Sequence, residues 1–95
     1  MKKLLVLGIM SGTSIDGVDY ALCSVTEDRV VLKKLWSAKF PTALQKKLHE
    51  AAAGKISSWE TAQLHHDLGR FYAKQACGGS RKEKIELVGL HGQTI

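Results

Sequence analysis

The stretch "GIMSGTSIDGVDYAL", residues 8–22, decides how the chain folds. Apolar, strand-like sequence flanks a run of glycine, hydroxyl and carboxylate residues. On its N-terminal side residues 3–9, "KLLVLGI", form a short continuous apolar run, the pattern of a strand covered on both faces. On the other side residues 18–25, "VDYALCSV", are rich in β-formers and predict a second strand. "TEDR" then makes a turn, and residues 30–40, "VVLKKLWSAKF", continue as a third strand. Alternation puts Val30, Leu32, Trp36, Ala38 and Phe40 on one face, with Lys33, Ser37 and Lys39 on the other. With connections this short, the three strands form an antiparallel meander.

Helical signals follow. "TALQ" offers Thr42 as N-cap with Gln45 three residues on, and Gly54 as a stop. Leu44, Leu48, Ala51 and Ala52 lie between them at helical spacing. "SSWE" repeats the capping pattern with Ser57 and Glu60, opening a helix whose stripe is Leu64, Leu68, Phe71, Tyr72 and Ala76 and which is expected to end at Gly78–Gly79. "GGSRKEK" reads as a polar turn, and "IELVGL" as a fourth strand running into "HGQTI". The order β-β-β-α-α-β, with the fourth strand parallel to the first and the helices on one face, describes an α/β, ribonuclease-H-like mixed sheet. A polar cluster at the end of a strand, followed at once by Ile95, would leave that sheet edge uncovered. Residues 1–95 are therefore expected to be the N-terminal part of a first ribonuclease-H-like lobe, with the rest of that lobe and a second lobe absent.

Composition narrows the function classes. The formal charge of +5 comes from scattered pairs (Lys2–Lys3, Lys33–Lys34, Lys46–Lys47) and "SRKEK", with acids interspersed. No aromatic residues alternate with them as a nucleic-acid stacking platform needs, so these are solvated faces. "MKKLLVLGIM" starts like a signal peptide, but the apolar run is short, lacks an A-x-A site and leads into a glycine-rich turn. No stretch is long enough to span a membrane. Cys23 and Cys77 are the two cysteines, far apart and outside any CxxC pair, which disfavours a zinc site or disulfide scaffold and fits a reducing cytoplasm.

The opening loop carries the chemistry. Gly12 and Gly17 permit unusual backbone dihedrals and close ligand approach, and Ser11, Thr13 and Ser14 supply hydroxyls that suit phosphate oxygens. Asp16 and Asp19 would repel a bare phosphate, so a cation must stand between; Mg²⁺, which binds through one or two carboxylates together with phosphates and water, fits. A Walker loop is excluded, because no G-K-[ST] follows and the next element is a strand. Composition alone equally allows a wide hairpin loop whose polar side chains satisfy their own backbone.

"GIMSGTSIDGVD" resembles the N-terminal signature of the anhydro-N-acetylmuramic acid kinases, in the sugar kinase/heat-shock-70/actin superfamily, and "GLHGQTI" resembles that family's second signature. The resemblance runs along the whole chain. It implies the first lobe of an actin-like ATPase-fold kinase. The activity implied is ATP-dependent opening of the 1,6-anhydro ring of anhydro-N-acetylmuramic acid, with phosphorylation at O6, in bacterial peptidoglycan recycling in the cytoplasm. It also implies that Gly12, Thr13, Ser14, Ile15, Asp16, Gly17, Val18 and Asp19 hold the phosphates of ATP. Related sugar kinases carry D-x-G-T-[ST] here, whereas this chain has Met10 in place of the acid, leaving Asp16 or Asp19 for magnesium, with Asp19, through its water shell, the expected one. His91, Gly92, Gln93 and Thr94 follow the fourth strand, where α/β sheets collect ligands, and are the expected sugar contacts.

Other residues have plainer roles. His65 and His66 are helix neighbours that point apart, and His49 sits in a Lys-rich helix. Trp36 and Trp59 read as core or domain-contact residues, and both cysteines as small buried groups. The family's catalytic base comes from sequence beyond Ile95, and Glu60 and Asp67 are poor substitutes, so these 95 residues alone are expected to be inactive. The partners are ATP and an amino sugar, with no nucleic acid and no membrane; the sequence leaves room for a homodimer of the full-length protein. Two rival readings are another sugar or acetate kinase of the superfamily and a non-catalytic interaction module.

Overall fold

The computed structural model describes residues 2–12, 14–81 and 83–93, so Thr13 and Thr94, both assigned above to the site, lie outside the described residues. Strands β1 (Leu4–Ser11), β2 (Gly17–Val25) and β3 (Val30–Lys39) form the expected meander. Helices α1 (Thr42–Ala52) and α2 (Ser58–Ser80) then lead to β4 (Leu87–His91). The sheet order is β3-β2-β1-β4, with β1 antiparallel to β2 and parallel to β4.

The core lies between one sheet face and the two helices. Leu7 and Ile9 of β1 and Val18, Tyr20 and Leu22 of β2 are buried there against Leu48 of α1 and Leu64 and Tyr72 of α2. Both helices belong to the single β3–β4 crossover, which is why they share one side. The opposite face carries exposed apolar side chains, including Met10 (55% exposed) and Leu35 (67%). β1 is thus covered on one face, where its continuous apolar run suggested two. β4 lies at the sheet edge, and Leu90, paired with Ile9 on the helix side, is still 57% exposed.

The third strand departs from simple alternation. Leu22 pairs with Lys34 but Cys23 pairs with Leu32, so Lys33 is an extra residue bulged out of register. A one-residue insertion reverses every side chain beyond it. Trp36, Ala38 and Phe40 keep the helix face as expected, whereas Val30 and Leu32 are turned to the open face.

Helix caps also differ. Pro41, not Thr42, is the N-cap of α1, and no side chain caps it; Thr42 is already helical. Gly54 does stop α1, at φ 70°. The Ser57–Glu60 capping box forms as expected, with Ser57 Oγ accepting from Glu60 N at 3.1 Å and Glu60 Oε1 accepting from Ser57 N at 3.2 Å. Glu60 also pairs with Lys47 of α1 at 2.7 Å, tying the two helices. That hydrogen bond, then the one from the Ser57 amide, holds the Glu60 carboxyl below its ordinary range, and the same contact raises Lys47. α2 runs through Gly78 and Gly79 to Ser80. Gly79 is needed there because a Cβ would overlap the Trp36 indole. Trp36 in turn stacks on Tyr20 with ring centroids 5.1 Å apart. Trp59, by contrast, is 78% exposed and Cys77 is exposed, so neither is a core residue. No helix is long and apolar enough to cross a membrane, among the described residues.

Candidate active site

The loop between β1 and β2 is anchored by its carbonyls. Gln93 Nε2 donates to Gly12 O at 2.8 Å, Gln45 Nε2 to Ile15 O at 2.8 Å, and Phe40 N to Asp16 O at 3.1 Å. The donors come from the segment after β4, from α1 and from the end of β3, so three elements hold one short loop. Drawing the carbonyl oxygens into protein hydrogen bonds removes negative dipole ends that would repel an anion. The backbone amides of Ser14 and Asp16 find no hydrogen-bond partner among the described residues, and so remain available as donors.

Backbone freedom in this loop is used differently from what its glycines suggest. Ile15, a β-branched residue, takes the left-handed conformation at φ 57°. Such a residue strains the backbone by roughly 1–3 kcal/mol and persists only where the surroundings over-determine it. Here the Ile15 side chain is buried in the core and its carbonyl is held by Gln45. Gly17 serves close approach: a Cβ would overlap the Ala38 carbonyl oxygen and stand 3.0 Å from Lys39 Cα.

Below the loop, a buried hydroxyl network joins the sheet to α2. Ser11 Oγ and Tyr72 Oη share a hydrogen bond at 2.9 Å, and Tyr20 Oη donates to the Tyr72 carbonyl at 2.9 Å. Burial, and secondarily the nearby Tyr72, pushes the Tyr20 hydroxyl up to about 12. Ser11 therefore belongs to the scaffold, facing away from any phosphate.

The open face carries the remaining groups. Strand register aligns Ser37, Asp19, Met10 and His91 in one row across β3, β2, β1 and β4. Adjacent strands are about 4.8 Å apart, so Asp19 and His91, two strands removed, stand roughly 10 Å from each other on the same face. A shallow cleft of about 260 Å³ lies beside this row, lined by Gly12, Ser14, Asp16, Asp19, Ser37 and Lys39 among others. Ser37 Oγ donates to Asp19 Oδ1 at 2.6 Å. Val18 (1% exposed) and Ile15 point into the core, so they can meet a ligand through backbone atoms alone.

Thus Gly12, Ser14, Asp16 and Asp19 come together at one cleft, and Gln93 links it to the segment after β4. Ser37 and Lys39 were missed as site residues because alternation marked them simply as a polar strand face. Their register opposite Asp19 and Gly17 was the usable signal. Among the described residues no three His, Cys, Asp or Glu side chains form a metal cage. Two carboxylates beside loop amides that are unpartnered among the described residues instead suit magnesium carried in with phosphates and water. A larger depression near Lys34 and Arg81 and an apolar groove beside Trp59 lie away from this row and contain neither signature segment.

Comparison with known proteins bears on this geometry. A family model described as anhydro-N-acetylmuramic acid kinase matches residues 4–95, which include both loop segments. The chain is similar to proteins of that name from Vibrio cholerae (34% identical over 99% of this chain), Picosynechococcus sp. (36% over 95%) and Nitrosospira multiformis (37% over 100%). It spans about a quarter of their lengths: 27%, 25% and 28% respectively. A match that covers both signatures and the helices between them leaves one assignment: the chain belongs to the anhydro-N-acetylmuramic acid kinase family.

Proposed function

We propose that this chain is the N-terminal part of a first lobe in an ATP-dependent phosphotransferase. Its substrate is 1,6-anhydro-N-acetylmuramic acid, converted with water to N-acetylmuramic acid 6-phosphate in the cytoplasm during cell-wall recycling. The observation that carries the reading is the 2.8 Å hydrogen bond from Gln93 to Gly12, which joins segments 81 residues apart in sequence at one end of the sheet.

In this reading the loop from Gly12 to Asp19, Thr13 and Ser14 included, holds the triphosphate through its amides and hydroxyls. Asp19 and Asp16 face the magnesium, Asp19 through water. Magnesium, when bound, neutralises charge on the transferring phosphoryl group. His91, Gly92, Gln93 and Thr94 meet the sugar, with His91 exposed on the same face as Asp19 and able to donate or accept toward hydroxyl and acetamido groups. The reaction needs a carboxylate to take a proton from water as the water oxygen bonds to the anomeric carbon. The C1–O6 bond breaks as that bond forms, and the freed O6 bonds to the γ-phosphorus as ADP leaves. No residue of this chain is assigned as that base, so the 95 residues alone are inactive.

The test is turnover by the full-length protein with ATP, Mg²⁺ and the anhydro sugar, against glucose and acetate as competing acceptors. Formation of the 6-phosphate supports the proposal. Preference for glucose or acetate supports the rival kinase reading, and absence of Mg²⁺-dependent ATP binding supports an interaction module. Turnover by the 95-residue chain itself would overturn the assignment of the base to sequence beyond it.

A further inference from the structure

We infer that Ser37 is the positioning residue for Asp19, a role resting on the reading of the cleft as a magnesium–triphosphate site. Ser37 stands on β3 directly opposite Asp19 in the antiparallel register. Its hydroxyl donates to Asp19 Oδ1 at 2.6 Å, within the range of charge-assisted O–H···O⁻ bonds. Both residues line the same cleft. Asp19 Oδ1 is thereby committed to the sheet, while Oδ2 receives no hydrogen bond among the described residues and is the oxygen left to the cleft.

The physical need for such a partner is specific. The carboxylate torsion of aspartate is broad, so an exposed Asp samples many orientations of its oxygens. Asp19 is exposed, and its neighbour across β1, Met10, offers no donor. A hydroxyl fixed on the adjacent strand holds one carboxylate oxygen and so orients the other. The ordering cost is then met in folding, before the metal and its water shell arrive. Serine achieves this without adding a charge that would compete with the cation. Threonine keeps the same donor and suits a strand position; alanine removes the donor while leaving the Asp19 charge in place.

The experiment uses the full-length protein with Mn²⁺ and ATP as probe, its bound Mn²⁺ counted by electron paramagnetic resonance, and each variant checked for native thermal unfolding. Ser37→Ala is expected to weaken Mn²⁺ binding roughly five- to tenfold, the net size of one lost hydrogen bond at an exposed site. Ser37→Thr is expected to restore binding to within about twofold of the parent on the same scale. Wild-type Mn²⁺ affinity in Ser37→Ala, alongside lost binding in Asp19→Asn, would overturn the positioning role and leave the magnesium site standing. Wild-type affinity in Asp19→Asn would remove Asp19 from the magnesium site and the positioning role with it, leaving Asp16 as the carboxylate of the proposed function. Equal losses in the Ala and Thr variants would also overturn the inference, since the hydroxyl would then not be the cause.

Discussion

Replacing Gly17 by alanine probes the join between the candidate phosphate loop and the sheet. The added Cβ would overlap the Ala38 carbonyl oxygen, with Lys39 Cα at 3.0 Å and the Ala38 carbonyl carbon at 3.1 Å. All three are backbone atoms of the paired strand, so no side chain can rotate aside and the start of β2 must move away from β3. Overpacking of this kind costs about 1–3 kcal/mol, and a rigid backbone neighbour keeps it from the lower part of that range. At about 2 kcal/mol, a complete lobe of about 150–250 residues loses roughly 4–8 °C in Tm. The control is Gly12→Ala, whose Cβ meets only Ser14 Oγ at 3.9 Å, an ordinary contact, and which is expected to change stability by less than about 1 kcal/mol. Because Phe40 N holds Asp16 O and Ser37 holds Asp19, the same displacement reaches both carboxylate residues. Gly17→Ala should therefore also weaken Mg²⁺–ATP binding, read by calorimetry. Equal thermal stability in the two alanine variants would refute the close-approach argument.

Tyr72→Phe removes the partner of buried Ser11 and should destabilise the protein by about 1–3 kcal/mol in urea unfolding, since Ser11 Oγ is left unsatisfied. Gln45→Ala frees the Ile15 carbonyl and should raise hydrogen exchange within the loop while sparing β1 and β2; unchanged exchange would count against the strained Ile15 being held from α1. Tyr20, with its pKa raised to about 12, contributes stability that is fully present below pH 10 and is lost as pH rises toward 12; ultraviolet absorbance should show one tyrosine ionising about two units late. The depressed Glu60 carboxyl contributes stability present above the ordinary value of 4.5 and lost as pH falls through its lower folded value. Glu60→Gln should accordingly flatten the acid limb of the thermal stability profile.

The strand order and the parallel β4 were readable because apolar runs and short polar turns leave few ways to build a sheet. The Ser57–Glu60 box was likewise legible, since both partners of the reciprocal cap stand at fixed spacing. Thr42 failed as a cap because Pro41 already sets the extended residue before α1, and Gln45 is drawn away to the Ile15 carbonyl. That is a tertiary contact with no local signature. The Lys33 bulge was hidden for a similar reason: alternation assumes register, and register here is decided by Trp36 stacking on Tyr20 while Lys34 reaches the Gly79 carbonyl. At the site, residue types pointed to the loop, but the side-chain directions of Ser11, Ile15 and Val18 depend on which face the helices cover. Gln93 was read as a ligand contact, and its hydrogen bond to Gly12 joins two segments too distant in sequence for any local pattern to reveal.

The proposed function requires one location for the nucleotide's phosphates. Adding Mn²⁺–ATP to the full-length protein and recording paramagnetic broadening of assigned amide resonances tests that location directly. The prediction is strongest broadening at Gly12, Ser14, Asp16 and Asp19, extending to His91, with resonances around Trp59 and Arg81 unaffected. Broadening centred on the Trp59 groove or the Lys34–Arg81 depression, with the β1–β2 loop untouched, would contradict it.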